Sequence, residues 1–369
     1  MAAPVARLPS GDVIAVDLGP GEGPGEQPLG ADEARRRIAE AIGGATGRIR
    51  LVDPETHEVL QDDAPLLRRE VSVVLLSLDP EAERLAEAAV LRALGAGAME
   101  DLAGHTLLRL NHSQLPSLPE SFGELEELEA VFLDHNQLAS LPESFGRLTA
   151  LVALSADANR LAALPEGFGR LSALQTLGLR ANRLARLPES FGQLAALQSL
   201  ALCGNELAGL PESFGRLAAL QDLRLDHNRL AGLPGSFGQL ASLQFMRLDH
   251  NLLAGLPASF GQLSALQALV LDHNCLTSLP ESFGQLAELR LLRLDSNQIA
   301  GLPNSFGQLE ALQVLDLQCN RLGSVPDSLG RLTELRVLKL DCWPSWRSRL
   351  RRYLRALRAW SARVCCHSC

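Results

Sequence analysis

From residue 136 to residue 320 an asparagine returns every 23 residues: Asn136, Asn159, Asn182, Asn205, Asn228, Asn251, Asn274, Asn297 and Asn320. Phenylalanine keeps the same step at Phe122, Phe145, Phe168, Phe191, Phe214, Phe237, Phe260, Phe283 and Phe306, and Leu329 continues it. Between them runs L-x-x-L-x-L-x-x-N-x-L-x-x-L-P-x-x-F-G, clearest in Leu174, Leu177, Leu179, Asn182, Leu184, Leu187, Pro188, Phe191 and Gly192. A fixed period of this length restricts the chain to a stack of near-identical units. One such unit cannot bury its apolar face alone, whereas a row of them shares a continuous interior.

The residue types say what each unit must be. Leu177 and Leu179 alternate with Gly178 and Arg180, so the leucines point inward from a short strand and their neighbours outward. Stacked side by side, such strands make one parallel sheet. Leaving the strand exposes interior backbone donors and acceptors, and a buried Asn satisfies both kinds because its amide donates and accepts. The nine asparagines should therefore form a ladder. Proline in each Leu-Pro pair cannot donate to a sheet and ends the extended segment. Phe fills the wider outer layer, and the Gly after it is expected to supply a positive φ.

This pattern resembles the leucine-rich-repeat family, in the intracellular 23-residue subclass of Ras-pathway, Scribble-type and plant Ras-group proteins. The resemblance covers residues 105–343 and implies an α/β solenoid with a parallel sheet on its concave face, where a protein partner binds. Ser113 in the first Asn slot and Trp343 in the last are expected for degenerate capping units.

Residues 1–79 follow a different plan. Val5 to Leu8 and Val13 to Leu18 are strand-like, with Pro9-Ser10-Gly11-Asp12 between them. A helix with Ala34, Ile38 and Ile42 on one face follows a Gly/Pro-rich loop and ends at Gly43-Gly44. Then come Arg48 to Val52, Glu58 to Leu60, a turn at Gln61-Asp62-Asp63, and Val71 to Leu78. This order, with Arg48-Ile49-Arg50-Leu51-Val52 and Leu60-Gln61-Asp62-Asp63-Ala64-Pro65-Leu66, is similar to ubiquitin-like β-grasp domains. An unrelated small α+β domain is the alternative. The resemblance implies a docking module without conjugation, since no Gly-Gly tail follows Leu78 and the segment has no lysine. Residues 80–104 read as a linker with an N-capping helix from Glu81 to Leu94, its apolar stripe being Ala82, Leu85, Ala86, Ala89, Val90 and Ala93.

The outward strand positions change character along the array. Around Asn159, Asn182 and Asn205 they are small: Ser155, Ala158, Gly178, Ala181, Ala201 and Gly204. From Asp222 onward Arg224, Arg247 and Arg293 form a basic column beside Asp226, Asp249, Asp272 and Asp295, with Phe245, Leu252, Val270 and Leu291 among them. Arginine with an aromatic in a polar field suits a binding hot spot, so residues 222–295 are the expected footprint, with Phe132 an outlying contact. The alternative is that Arg and Asp pair with each other and only keep the sheet soluble. His112, His135, His227, His250 and His273 share a further column, and the last three are close enough to share a proton or a metal ion. Duplication of an Asp-His pair explains them more plainly, so no metal or cofactor is assigned. No triad, P-loop, GxGxxG or HExxH is present, and a flat sheet lacks a pocket, so the chain does not read as an enzyme.

The formal charge of −9 is uneven: Ser345 to Cys369 hold seven Arg and no acid, which leaves −16 for the rest. That acidic body disfavours nucleic acid as a partner. Seven scattered cysteines point to a reducing compartment and a cytoplasmic location. Within 344–369, Trp346, Leu350, Tyr353, Leu354, Leu357, Trp360 and Val364 recur at helical steps, which predicts a basic amphipathic helix followed by a Cys-rich tail. It has three candidate uses: capping the last repeat, lying on an anionic membrane with Cys365 and Cys366 lipidated, or serving as a helical ligand. The function expected is a non-catalytic scaffold in intracellular signalling, with small-GTPase or ubiquitin-pathway proteins as partners.

Overall fold

The computed structural model describes residues 5–7, 13–15, 49–52, 70–75, 80–324, 326–341 and 363–365. The chain divides into two units, Met1–Glu83 and Arg84–Cys369.

In the first unit, β1 (Val5–Arg7), β2 (Val13–Ala15), β3 (Ile49–Val52) and β4 (Glu70–Leu75) form one sheet in the order β2-β1-β4-β3. β1 pairs antiparallel with β2 and parallel with β4, and β3 pairs antiparallel with β4. A parallel pair of first and last strands needs a crossover connection between them. The helix expected around Ile38 and the strand expected at Glu58 to Leu60 lie outside the described residues.

The second unit is the solenoid. Helix α1 (Pro80–Leu94) enters it, burying Ala86 and Val90, and Val90 joins Met99 and Leu102 in the repeat core. Only part of the expected stripe is used. Ala82, Leu85 and Ala93 are exposed, Leu85 by 63%, because a helix closing the end of a stack meets a single coil and buries only an i, i+4 strip.

Twelve strands follow in chain order as one sheet, each pairing parallel with its neighbours. They are β5 (Leu107–Arg109), β6 (Ala130–Phe132), β7 (Ala153–Ser155), β8 (Thr176–Gly178), β9 (Ser199–Ala201), β10 (Asp222–Arg224), β11 (Phe245–Arg247), β12 (Ala268–Val270), β13 (Leu291–Arg293), β14 (Val314–Asp316), β15 (Val337–Lys339) and β16 (Arg363–Cys365). The register follows the repeat, with Leu177 opposite Leu200 and Leu200 opposite Leu223. The central residue of each strand from β5 to β15 is buried, as the alternation requires.

The asparagines complete each coil. Asn228 Nδ2 donates to the carbonyls of Leu225 at 3.1 Å and Leu202 at 2.9 Å, while its Oδ1 accepts the Leu207 N–H at 3.0 Å. The same set recurs from Asn136 to Asn320, so the ladder stitches every coil to the one before. On the opposite side a proline opens each 3-10 turn, as Pro188 (φ −68°, ψ 153°) does for Glu189–Gln193. The nine phenylalanines stack behind it with ring centroids 6.0–6.4 Å apart, all fully buried. The turn serine is a strut: Ser213 Oγ donates to the Glu189 carbonyl at 2.7 Å and Ser236 Oγ to the Glu212 carbonyl at 2.6 Å.

Two expectations are corrected. The Gly after each Phe does not supply a positive φ; a Cβ on Gly192 or Gly238 would strike the carbonyl of Ser213 or Ser259 in the next coil, so its role is close approach. The left-handed residue is instead the one before the ladder Asn, as at His135 (φ 56°), Ala158 (55°), Gly204 (68°) and His227 (55°). Second, Arg363 and Val364 are not helical. They lie in β16, which adds to β15 with Val337 opposite Arg363, three residues beyond the usual step. A strand that docks on the free sheet edge gains backbone pairing that an isolated helix end lacks. The rest of the expected tail helix lies outside the described residues.

Candidate binding surface on the sheet

The solvent face of the sheet carries three side-chain columns: the first and third residues of each strand and the residue two further on. The first column becomes apolar from β11, with Phe245 exposed by 47% and followed by Ala268, Leu291, Val314 and Val337. The next holds Arg224, Arg247, Val270, Arg293, Asp316 and Lys339. Leu252 stands beyond the ladder, exposed by 55%. Phe132 lies upstream, with the Arg109 guanidinium 5.0 Å from its ring centroid.

The aspartates are sunk beneath this surface, contrary to the display expected from their outward register. Asp226, Asp249 and Asp272 are buried, Asp272 to 4% exposure, and Asp295 is half-buried. Long arginine side chains on the same and on adjacent strands lie over them and pair with them. Arg247 grips Asp249 through Nε and a terminal nitrogen, both at 3.2 Å. Arg293 reaches Asp272 at 2.8 Å and Asp295 at 3.5 Å, and Arg224 holds Asp222 at 3.2 Å. The pairing of Arg with Asp is thus real, while the arginines remain about half exposed, at 42–50%. A charged head above an internal counter-ion is a fixed, oriented donor.

Burial dominates the electrostatics. Asp272 is pushed up to about 8 by burial first, then by a hydrogen bond to Asp295 and that residue's charge, with Arg293 acting against them. Its Oδ1 is buried without a hydrogen-bond partner. Arg247 is raised by its bond to Asp249. His250 is lowered by desolvation and by His227 and His273 on either side. These three imidazoles stack at 4.3 and 4.4 Å, and His112 stacks on His135 at 4.4 Å.

Sequence reasoning missed one pair at the end of the face. Lys339, the only lysine, donates to buried Asp316 at 2.8 Å, and Asp316 raises its pKa. The same column alignment that singled out Arg293 would have found it. It also took all seven cysteines as reduced thiols. Cys203 and Cys275 are free, burial pushing Cys203 up, but Cys319 is disulfide-bonded. Cys365 lies in β16, and the side chains of Cys365 and Cys366 lie outside the described residues.

A stack of short parallel strands, an asparagine ladder and a phenylalanine spine define a leucine-rich-repeat solenoid. The family model described as "Leucine-rich repeat region" matches residues 170–250 and 235–359, just over half of the chain. The chain belongs to the leucine-rich-repeat family. No curated protein matches it by sequence. Among solved structures, a leucine-rich-repeat protein of Leptospira interrogans is 31% identical over 67% of this chain and 76% of that one, with a TM-score of 0.45. The plant peptide hormone receptor RGFR1, in complex with RGF2, is 31% identical over 70% and 48%, with a TM-score of 0.53. A chain of the Toll–Spätzle complex of Drosophila is 26% identical over 69% and 40%, with a TM-score of 0.57. This chain spans less than half of each of the latter two. Proteins of this family are typically non-enzymatic interaction modules with protein partners. Among the described residues no helix is long and apolar enough to cross a membrane.

Proposed function

We propose that the chain is a non-catalytic adaptor that grips one protein on the sheet face between Asp222 and Asp295 and docks a second through its amino-terminal unit. The observation that carries this reading is the cluster formed by Phe245, Leu291 and Val270 beside Arg224, Arg247 and Arg293, whose guanidinia pair with carboxylates that are buried at Asp249 and Asp272 and half-buried at Asp222. Aromatic and Arg anchors held in fixed geometry are what binding hot spots are made of. The complexes named for RGFR1 with RGF2 and for Toll with Spätzle lend general support to protein or peptide partners for a solenoid of this type. Proximity labelling by the full chain, repeated with R224E, R247E and F245A combined, tests it. Loss of a discrete set of labelled proteins is expected, and an unchanged set from the folded triple variant overturns it.

The reading extends to signalling. The amino-terminal unit is taken as ubiquitin-like, because its strand order β2-β1-β4-β3 with a parallel central pair is that of a β-grasp sheet. Small-GTPase or ubiquitin-pathway proteins are the partner classes proposed. In the alternative, the chain is a ubiquitin-pathway adaptor whose repeats select a client. Labelling by a chain lacking residues 1–79 separates the two: loss of ubiquitin-pathway proteins alone favours the alternative. The location proposed is the cytoplasm, for which the free thiols Cys203 and Cys275 speak and against which the Cys319 disulfide speaks, with peripheral membrane contact through the tail arginines and Cys365 and Cys366. Unaltered membrane partitioning of C365S/C366S removes the lipid from that reading.

A further inference from the structure

The first surface column changes character at β11. Ala130, Ala153, Thr176, Ser199 and Asp222 fill it upstream, so the fold accepts small or polar residues there. From β11 onward it holds Phe245, Ala268, Leu291, Val314 and Val337 without a break, Phe245 exposed and the other four half-buried. Four steps of ~4.8 Å between neighbouring strands make this row roughly 19 Å long, the span of about six extended or thirteen helical residues. It continues two strands past Asp295, where the face assigned above ends. Scattered apolar residues on a surface are ordinary, whereas a contiguous row edged by polar groups marks a contact.

The groups along its two edges define what it can meet. On one edge stand Arg247, Arg293 and Lys339, with side chains 38–50% exposed. Their partners Asp249, Asp272 and Asp316 lie beneath them, with side chains only 4–7% exposed. Counted as charges the two sets nearly cancel, but depth separates them, and an approaching group meets the cations first. Donors are also left over. Lys339 directs one of its three ammonium protons to Asp316, and Arg293 reaches both its carboxylates through a single terminal nitrogen. On the other edge the residues preceding the strands are Gln244, Gln267, Arg290, Gln313 and Arg336, the two arginines being exposed. Glu288 stands 4.0 Å from Arg290, an exposed pair that contributes little. The acidity of the rest of the chain is screened beyond ~8 Å at physiological salt.

We propose that the row from Phe245 to Val337 docks a partner segment whose apolar side chains are flanked by Asp or Glu carboxylates. The apolar groups cover the row, and the carboxylates accept from the half-exposed guanidinium and ammonium groups on either edge, where charge-assisted bonds are strongest. A basic segment would meet like charge on both edges and find the carboxylates out of reach below. This inference rests on the adaptor reading and adds the chemistry of the partner to it.

The test is selection from a phage-displayed library of random linear 15-residue peptides on the full chain, with counter-selection on the folded Leu291→Glu/Val314→Glu variant. Peptides that bind the tail arginines bind both proteins and are removed. The survivors should combine apolar residues with Asp or Glu and be poor in Lys and Arg. A synthetic peptide of the most enriched sequence, followed by fluorescence anisotropy, should bind at least about tenfold more weakly to Arg290→Glu/Arg336→Glu, the loss of one charge-assisted hydrogen bond. Both of those arginines are exposed, so this second variant also serves for counter-selection if the first fails to fold. No survivors, basic survivors, or an affinity unchanged by the charge reversal overturns the proposal. Basic survivors leave the adaptor reading standing, whereas that reading falls on the labelling test of R224E, R247E and F245A.

Discussion

Strands β7–β9 present Ser155, Gly178 and Ala201 at the position where β10–β13 present Arg224, Arg247, Val270 and Arg293. The aspartates behind them behave differently as a result. Asp134 and Asp157 turn to the backbone and accept the N–H of Asp157 and Arg180 on the following strand, at 2.8 and 2.7 Å. Asp249 and Asp272 turn to guanidinium groups instead. With a small neighbour, the carboxylate serves the sheet; with a long cationic neighbour, it serves the surface. The interior takes no notice, because the phenylalanine spine and the asparagine ladder run through both regions unchanged.

That contrast can be broken from the inside first. Phe191→Ala and Phe237→Ala should each cost about 3–5 kcal/mol, the range for deleting a fully buried ring. Urea unfolding should show the same loss in both regions. Next come the ladder residues: Asn182→Ala and Asn228→Ala should each cost on the order of 1–3 kcal/mol through the backbone groups left unpaired. A large difference between the two would mean that the surface charges reach the core.

The face itself is the next test. R224E, R247E and F245A combined should weaken partner capture by at least about thirtyfold, the fold-change of a hot-spot loss near 2 kcal/mol. Ser199→Glu, one strand upstream, should leave capture nearly unchanged. Equal losses from both would erase the distinction between the regions.

The smallest effect concerns Asp272. Its folded-state pKa of about 8 lies above the ordinary 3.8, so the folded state binds the proton more tightly than the unfolded state does. The contribution is full below about pH 4, falls as pH rises towards 8, and is flat beyond. Asp272→Asn should remove that slope from a plot of denaturation midpoint against pH. Asp157 is raised in the same sense, with burial the main cause, so Asp157→Asn should flatten the curve in the quiet region as well.

How much was legible follows from which forces repeat. The sheet, the ladder and the spine could be read because Leu177, Asn182 and Phe191 each sit in a slot that demands one kind of side chain. The glycine role could not. Gly192 is conserved along the array for contact with Ser213, one coil away, and a periodic pattern does not distinguish close approach from a turn angle. The candidate residues could be read onto the solvent side of the sheet, but not their depth. Whether Asp249 is displayed or buried depends on the length and direction of Arg247 on its own strand.

The amino-acid sequence by itself determined the solenoid, because 23-residue periodicity leaves a single way to bury so many leucines. Tertiary structure alone decided the surface: which carboxylates lie under arginine, that three imidazoles stack within 4.4 Å, and that Arg363–Cys365 closes the sheet. The physical reason is range. Burial of a repeated apolar position is written within each unit, whereas charge pairing and edge pairing depend on distances between coils that exist only once the stack has formed.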